Sequence, residues 1–356
     1  MEILLEEFYK QEIHLERYYD RKSFLDNKSY QICGITQSGK TKLVKSYLLS
    51  LKKNSYLYID CSDERIDIDE LNQILNHFCI KNHIDILVLD NYKEEIKFPN
   101  VSQLLIISQK EYKIDFLETL WLYPLDYEEF LAHEHKFDST VLNHYLQLGG
   151  LTCMHYLLAE ERAVFIQQKL KTSLSEIEFE ILKFVSKTNS SYLSAFMIYE
   201  RLKQKRKISK DKIYQNYKTL IEKKYLFEVQ KYNHPKASKK LYLADIFFKT
   251  ALSVDKHFGR LFENMIYLEL VKHNKTPYYF DEVDFYLFEN DEVILAKPFA
   301  DERSLFKKLE KIESFIFSYK IKKITAVTMS KEAIISHPLS KVEMIPFNIW
   351  ALSDLG

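Results

Sequence analysis

Apolar positions in the first 110 residues follow two alternating rhythms. Short runs occur at Tyr30-Gln31-Ile32-Cys33, Ser55-Tyr56-Leu57-Tyr58-Ile59, Ile84-Asp85-Ile86-Leu87-Val88-Leu89 and Leu104-Leu105-Ile106-Ile107-Ser108. Each is too brief for a helix and predicts a buried strand. Between them, 42–49 and the series Leu71, Ile74, Leu75 and Phe78 carry helical spacing. Asp67 with Glu70 three residues on predicts a capping box at the start of the second helix. Strands alternating with helices predict a parallel sheet covered on both faces. Residues 1–28, charged and aromatic, predict a helix followed by a connector.

Beyond 125 the rhythm changes. It is helical from 126 through Gly149-Gly150 to 172, as in a small helical lid. Helices are then expected at 174–187, 194–205 and 209–224. A ribbon of 226–232 and 239–243 follows, joined by the turn-rich 233–238. That order is a winged helix. A helix at 261–272, strands near 277–280, 284–288 and 293–297, a helix near 304–317 and a strand at 323–329 predict a second α/β unit. The expected division is 1–28, 29–125 (sheet core), 126–172 (lid), 173–245 (winged helix) and 246–356, with no internal repeat.

Composition narrows the picture. Lys+Arg and Asp+Glu both number 51, so the chain as a whole is no evident binder of nucleic acid or membrane. Between 171 and 240, however, 17 Lys or Arg face 7 Asp or Glu. The four cysteines show no CxxC spacing, which argues against zinc and disulfides and suits a reducing, cytoplasmic setting. The N-terminal Met1-Glu2-Ile3-Leu4-Leu5-Glu6-Glu7 lacks the basic start of a signal peptide. No apolar run approaches the ~18–20 residues of a membrane span. Only six glycines occur in 356 residues, so each is expected to meet a backbone need.

Two of them bracket Gly34-Ile35-Thr36-Gln37-Ser38-Gly39-Lys40-Thr41, a full match to G-x-x-x-x-G-K-[ST] after a predicted strand and before a predicted helix. Such a loop aims backbone N–H groups, from Gly34 to Lys42 here, at phosphate oxygens and delivers them to a helix N-terminus. Lys40 would reach the β- and γ-phosphates, and the Thr41 hydroxyl would ligate Mg2+. Asp90, ending the third strand, would complete the metal site; an ordinary strand-end aspartate is the alternative. The next position is Asn91, which can position a water but cannot take its proton. Hydrolysis would then be slow, or a base would come from elsewhere, for example Asp63 or Glu64. Ser108 would either sense the γ-phosphate or be structural.

The chain resembles the AAA-type ATPases of bacteria and archaea that carry a C-terminal restriction-endonuclease-like domain. Besides the P-loop and Asp90, the resemblance rests on Leu122-Tyr123-Pro124-Leu125-Asp126-Tyr127-Glu128-Glu129-Phe130-Leu131, Leu148-Gly149-Gly150 and Lys240-Leu241-Tyr242-Leu243-Ala244-Asp245. Phe262-Glu263-Asn264-Met265-Ile266-Tyr267-Leu268-Glu269-Leu270 and Glu282-Val283-Asp284-Phe285 complete it. It covers nearly the whole length and implies ATP rather than GTP; no guanine-reading NKxD is present. The sequence departs from the family at Asn91, at Leu151 in place of a proline, and in the last domain. There Glu263, Asp284 and Lys297 match nuclease positions, but Leu295 stands where a metal-binding acid belongs. Contacts rather than nuclease chemistry are expected of that domain.

Arg201, Lys203, Lys205, Arg206, Lys207, Lys210 and Lys212 cluster at the turn into the third helix of the expected winged helix, with Gln215 beyond. DNA is one candidate partner. A solvated basic face or a patch for an acidic protein partner is the other reading. Lys223, Lys224, Lys236, Lys239 and Lys240 would add charge near the wing. His77, His83, His133 and His135 show no metal spacing. AAA-type proteins often borrow an arginine from a neighbour in a homo-oligomer; neither Arg65 nor Arg162 is assignable to that role. The leading expectation is ATP hydrolysis with Mg2+ that repositions the C-terminal domains. The alternative is a non-hydrolysing scaffold or DNA-binding regulator.

Overall fold

Strands buried on both faces need crossover connections and helical cover, which favours parallel pairing. The computed structural model, which describes residues 1–51, 55–134, 139–204, 206–255 and 257–353, bears this out for the first 124 residues. In chain order these are α1 (Glu2–Lys10), β1 (Tyr30–Cys33), α2 (Lys40–Ser50), β2 (Tyr56–Asp60), α3 (Ile68–Lys81), β3 (Ile86–Asp90), β4 (Gln103–Ser108) and β5 (Glu118–Trp121). The strands form one parallel sheet in the order β2-β3-β4-β1-β5. Alternate residues point to opposite faces. Leu57, Ile59, Leu87, Leu89 and Ile106 pack with Leu5 and Phe8 of α1 and Leu71, Leu75 and Phe78 of α3. Ile32, Val88, Leu105 and Ile107 pack with Leu43, Val44 and Leu48 of α2 on the other face.

Two details depart from the sequence reading. β5 is a fifth strand, an edge strand with Glu118 and Thr119 exposed, so it lacks the apolar run that marks the others. At α3, Asp67 accepts a hydrogen bond from the Glu70 amide, but only this half of the capping box forms. The Glu70 carboxylate instead lies 3.6 Å from the Met1 amino group.

Residues Met1–Pro124 form one compact unit and Leu125–Gly356 a second. The second opens with α4 (Tyr127–Glu134), α5 (Ser139–Leu148) and α6 (Ala159–Ser173). Then come α7 (Glu176–Lys187), β6 (Ser191–Leu193), α8 (Ala195–Leu202), α9 (Lys210–Glu222), β7 (Leu226–Val229) and β8 (Lys239–Leu243). Ser175, Ser194 and Ser209 cap the three helices of this group. Its strands pair antiparallel as β6-β8-β7. The chain continues with α10 (Phe247–Leu252), α11 (Phe258–Lys272), β9 (Tyr278–Phe280), β10 (Val283–Leu287), β11 (Glu292–Ala296) and α12 (Glu302–Ser318). It ends with β12 (Lys323–Thr328), β13 (Ala333–Ile335), β14 (Lys341–Pro346) and α13 (Phe347–Trp350). The six strands β9 to β14 make a mixed sheet ordered β13-β14-β12-β11-β10-β9. β6, α10, β13, β14 and α13 were not read from the sequence.

Within this unit the quoted motifs meet. Asp126 and Glu129 exchange hydrogen bonds at the start of α4, a capping box. Gly149 ends α5 at φ +66, and a side chain there would run into the Asp245 carboxylate. Asp245 accepts from the Gly150 amide at 2.7 Å. Glu269 accepts from the Tyr127 amide and the Tyr145 hydroxyl. Asn264 closes two bonds with the Leu243 backbone. Four segments far apart in sequence are thereby tied through buried polar groups.

Candidate functional site

The C-terminal ends of the parallel strands share one rim. Cys33 is opposite Ser108, and Asp60 is opposite Asp90. After β1 the chain turns at Gly34, where the backbone lies so close to the Leu122 carbonyl that no side chain fits. The loop then enters α2 at Gly39. Among the described residues no side chain caps this helix, and no acid stands in its first turn, where Lys40 and Lys42 sit instead. The first four amides of a helix lack intrahelical partners and the N-terminus is partly positive. Two lysines there work against the helix dipole and leave a concentrated positive end. The Ser38 hydroxyl is fully buried and has no hydrogen-bond partner among the described residues. An orphaned hydroxyl, an uncapped helix start and a lysine in one loop fit an anion with several oxygens.

The Lys40 ammonium donates to the Gly34 and Ile35 carbonyls at 2.8 and 2.7 Å. Burial pushes it down to about 8, with Asp90 and Cys33 acting in the opposite direction. Lys42 donates to the Arg17 carbonyl at 2.9 Å. Arg21 bridges the Ser38 and Tyr123 carbonyls at 2.8 and 2.7 Å and so ties the loop to the segment after β5.

Beside the loop, Thr41 donates to Asp90 Oδ2 at 2.8 Å. Tyr58 donates to the same oxygen at 2.5 Å. Burial first, then Asp90, raises the Tyr58 phenol far above its ordinary value, so it stays a donor. A hydroxyl and a carboxylate this close supply the hard oxygen donors that Mg2+ takes. The Asn91 amide donates to Asp90 Oδ1, and its carboxamide donates to Asp60 Oδ1 at 2.9 Å. Thr41, Tyr58, Asp60 and Asp90 line one cavity of about 160 Å3 with Lys45 and residues of the 8–13 segment. Ser108 is buried, and its hydroxyl donates to the Lys110 carbonyl while Cys33 approaches at 3.7 Å. Its proton is committed to the loop after β4.

Tyr58, Asp60 and Arg21 were not singled out from the sequence. Tyr58 reads there as one more strand aromatic. Asp60 reads as a strand end, and only its place after an apolar run, the same as that of Asp90, could have marked it.

A second charged cluster lies in the other unit. Lys240 Nζ is 2.5 Å from Glu263 and 3.9 Å from Asp284. Tyr242 donates to Glu263 at 2.6 Å, and Lys297 is 3.6 Å from Asp284. Lys240 is 5% exposed. Burial works against both charges, lifting the Glu263 carboxyl and pulling on the ammonium. The two carboxylates outweigh it at Lys240, which stays charged. Leu295 faces the apolar layer with Val293 and Leu305.

The basic segment is less bare than its sequence. Lys203, Arg206, Lys223 and Lys239 pair with Glu200, Glu176, Glu178 and Glu228. Lys207, Lys210 and Lys212 have no ion pair among the described residues, and Lys210 lies over the exposed rings of Phe196 and Tyr214. Lys205 and His135 lie outside the described residues. Among the described residues, no helix is long and apolar enough to cross a membrane.

No family model matches the chain. An uncharacterized protein of Methanocaldococcus jannaschii is 25% identical over 92% of this chain and 89% of its own length. The Aeropyrum pernix ORC1 protein solved in complex with DNA overlaps 66% of this chain and 88% of its own, at 13% identity and a TM-score of 0.30. Drosophila ORC bound to DNA overlaps 64% and 82%, at 12% identity and a TM-score of 0.25. Overlaps this loose carry no argument about function.

Proposed function

We propose that the chain is an Mg2+-dependent, AAA-type ATP hydrolase whose nucleotide state repositions its C-terminal domains. The observation that carries this reading is the Thr41–Asp90 contact at 2.8 Å beside an uncapped, doubly basic helix start. Phosphate oxygens would take over the Lys40 ammonium from the Gly34 and Ile35 carbonyls and accept from the amides of the 34–42 loop. Thr41 and Asp90 would hold Mg2+, which when bound neutralises charge building on the β- and γ-phosphates. Tyr58 orients Asp90 by holding one of its oxygens. Adenine is preferred over guanine on the family resemblance. The test is steady-state ATP hydrolysis with and without duplex DNA, set against Lys40→Ala. Turnover abolished by the substitution is expected; equal turnover in both proteins would refute the assignment.

The division into a P-loop core, a helical lid, a winged helix over 173–245 and a degenerate restriction-endonuclease-like domain is part of the same proposal. The three capped helices and the β6-β8-β7 ribbon support the winged helix. The ion pairs of Lys240 and the apolar Leu295 support a domain retained for contacts. A second reading, a non-hydrolysing ATP-dependent scaffold or DNA-binding regulator, is favoured by one observation: position 91 carries a carboxamide. Lys207, Lys210 and Lys212 would then meet DNA phosphates, and their charge reversal would weaken a steeply salt-dependent affinity.

A further inference from the structure

If the P-loop hydrolyses ATP, something other than Asn91 must take the proton of the attacking water. Asp63 and Glu64 are poor choices. Arg65 grips Asp63 through the side chain and the backbone amide and holds its carboxyl well below the usual range, at about 2. Glu64 sits exposed in the turn after β2. Asp90 is engaged by two hydroxyls on Oδ2 and by the Asn91 amide on Oδ1.

Asp60 is different. It ends the strand next to β3, opposite Asp90 in register. Its Oδ1 accepts three hydrogen bonds, from the Ser62 amide at 3.0 Å, the Ser62 hydroxyl at 2.7 Å and the Asn91 carboxamide at 2.9 Å. Its Oδ2 accepts none among the described residues. The carboxylate is thus fixed by one oxygen and open at the other, on the wall of the cavity it shares with Thr41 and Asp90. A cavity of about 160 Å3 admits water, which needs only ~10–15 Å3 of such space and two or more polar partners. Asn91 links the two acids, its amide on Asp90 and its side chain on Asp60. It does so with left-handed backbone at φ +53, which asparagine tolerates better than glutamate.

We infer that Asp60 is the general base of the hydrolytic site and Asn91 its positioning residue, the carboxylate having moved to the neighbouring strand. The inference rests on the proposed ATPase reading. In the step, the water oxygen attacks the γ-phosphorus and the bond to the bridging oxygen of the departing ADP breaks. The water proton passes to Asp60 Oδ2 and from there to bulk water.

The experiment measures MgATP dissociation constants and single-turnover hydrolysis of the full chain. Asp60→Asn should retain affinity within about threefold and lose turnover by ~10²–10⁴-fold, the usual span of a general base. Asn91→Ala should retain affinity and lose less turnover. Asp63→Asn should hydrolyse like the wild type. The exchange variant Asp60→Asn with Asn91→Asp should recover part of the loss, because it returns a carboxylate to the same hydrogen-bonded pair. Turnover by Asp60→Asn within threefold of wild type overturns the inference. So does a loss of affinity matching the loss of rate, which would make Asp60 a metal or structural group. Wild type that binds MgATP without turnover overturns it while leaving nucleotide binding intact; wild type that binds none removes the ATPase reading itself.

Discussion

Two lysines in this molecule stand beside acids, with opposite electrostatic outcomes. Lys40 is bonded to two neutral carbonyls, and burial depresses it to about 8. Lys240 is wedged against Glu263 near Asp284, and those carboxylates hold it charged despite burial. Where burial outweighs the acids nearby, as at Lys40, an arriving anion adds the most. A raised lysine is already neutralised from within. The first arrangement suits a site that takes a polyanion. The second suits a cluster that has closed on itself, with an ammonium between the carboxylates.

The largest expected effect is at Lys40. Lys40→Ala should lower MgATP affinity by more than ~100-fold in a calorimetric titration, since charge-assisted phosphate bonds are among the strongest available. Retained micromolar affinity would break the contrast at its first term. Next is Lys240→Met, which leaves the buried Glu263 carboxylate with the Tyr242 hydroxyl but no cation, near Asp284. Removing one partner of a buried pair costs ~3–5 kcal/mol, to be read by urea unfolding. Mn2+ should recover part of this loss in the variant, while MgATP affinity stays unchanged. An unaltered unfolding midpoint would mean that the pair contributes nothing.

A smaller effect follows from the sign of the Lys40 shift. In the free protein the ammonium titrates near 8, and bound phosphate raises that value. Binding therefore takes up a proton above pH 8. Affinity is full below pH 8 and should fall by up to ~10-fold per unit above it. Flat affinity from pH 7 to 9.5, in proteins matched for fold, would contradict the burial of Lys40. The smallest effect is at Gly149, where φ +66 and the Asp245 carboxylate exclude a side chain. Gly149→Ala should cost ~1–2 kcal/mol in the same unfolding assay and spare nucleotide binding.

The strand–loop–helix setting of residues 34–41 was legible because its pattern is local: eight consecutive residues, a strand before and a helix after. The central strands were legible because burial on both faces writes apolar runs. Edge strand β5, with Glu118 and Thr119 exposed, and the three-residue β6 bury too little to leave such runs. β14 does alternate, with Val342 and Met344 buried and Lys341 and Glu343 outward, so its signal was present and short. Asp60 and Tyr58 join the site only through strand order, which periodicity does not reveal. The pairing of Lys240 with Glu263 likewise depends on β8 lying against α11, and the glutamates that pair with the basic helices were invisible as partners in a count of charges.

The central claim is that residues 34–42 and Asp90 make a working nucleotide site. Its most direct test is a titration of MgATP into the full chain at neutral pH, beside Lys40→Ala and Asp90→Ala. Saturable binding in the wild type is expected, lost in Lys40→Ala and stripped of its Mg2+ dependence in Asp90→Ala. Absence of binding in the wild type, or equal binding in all three proteins, would contradict the account.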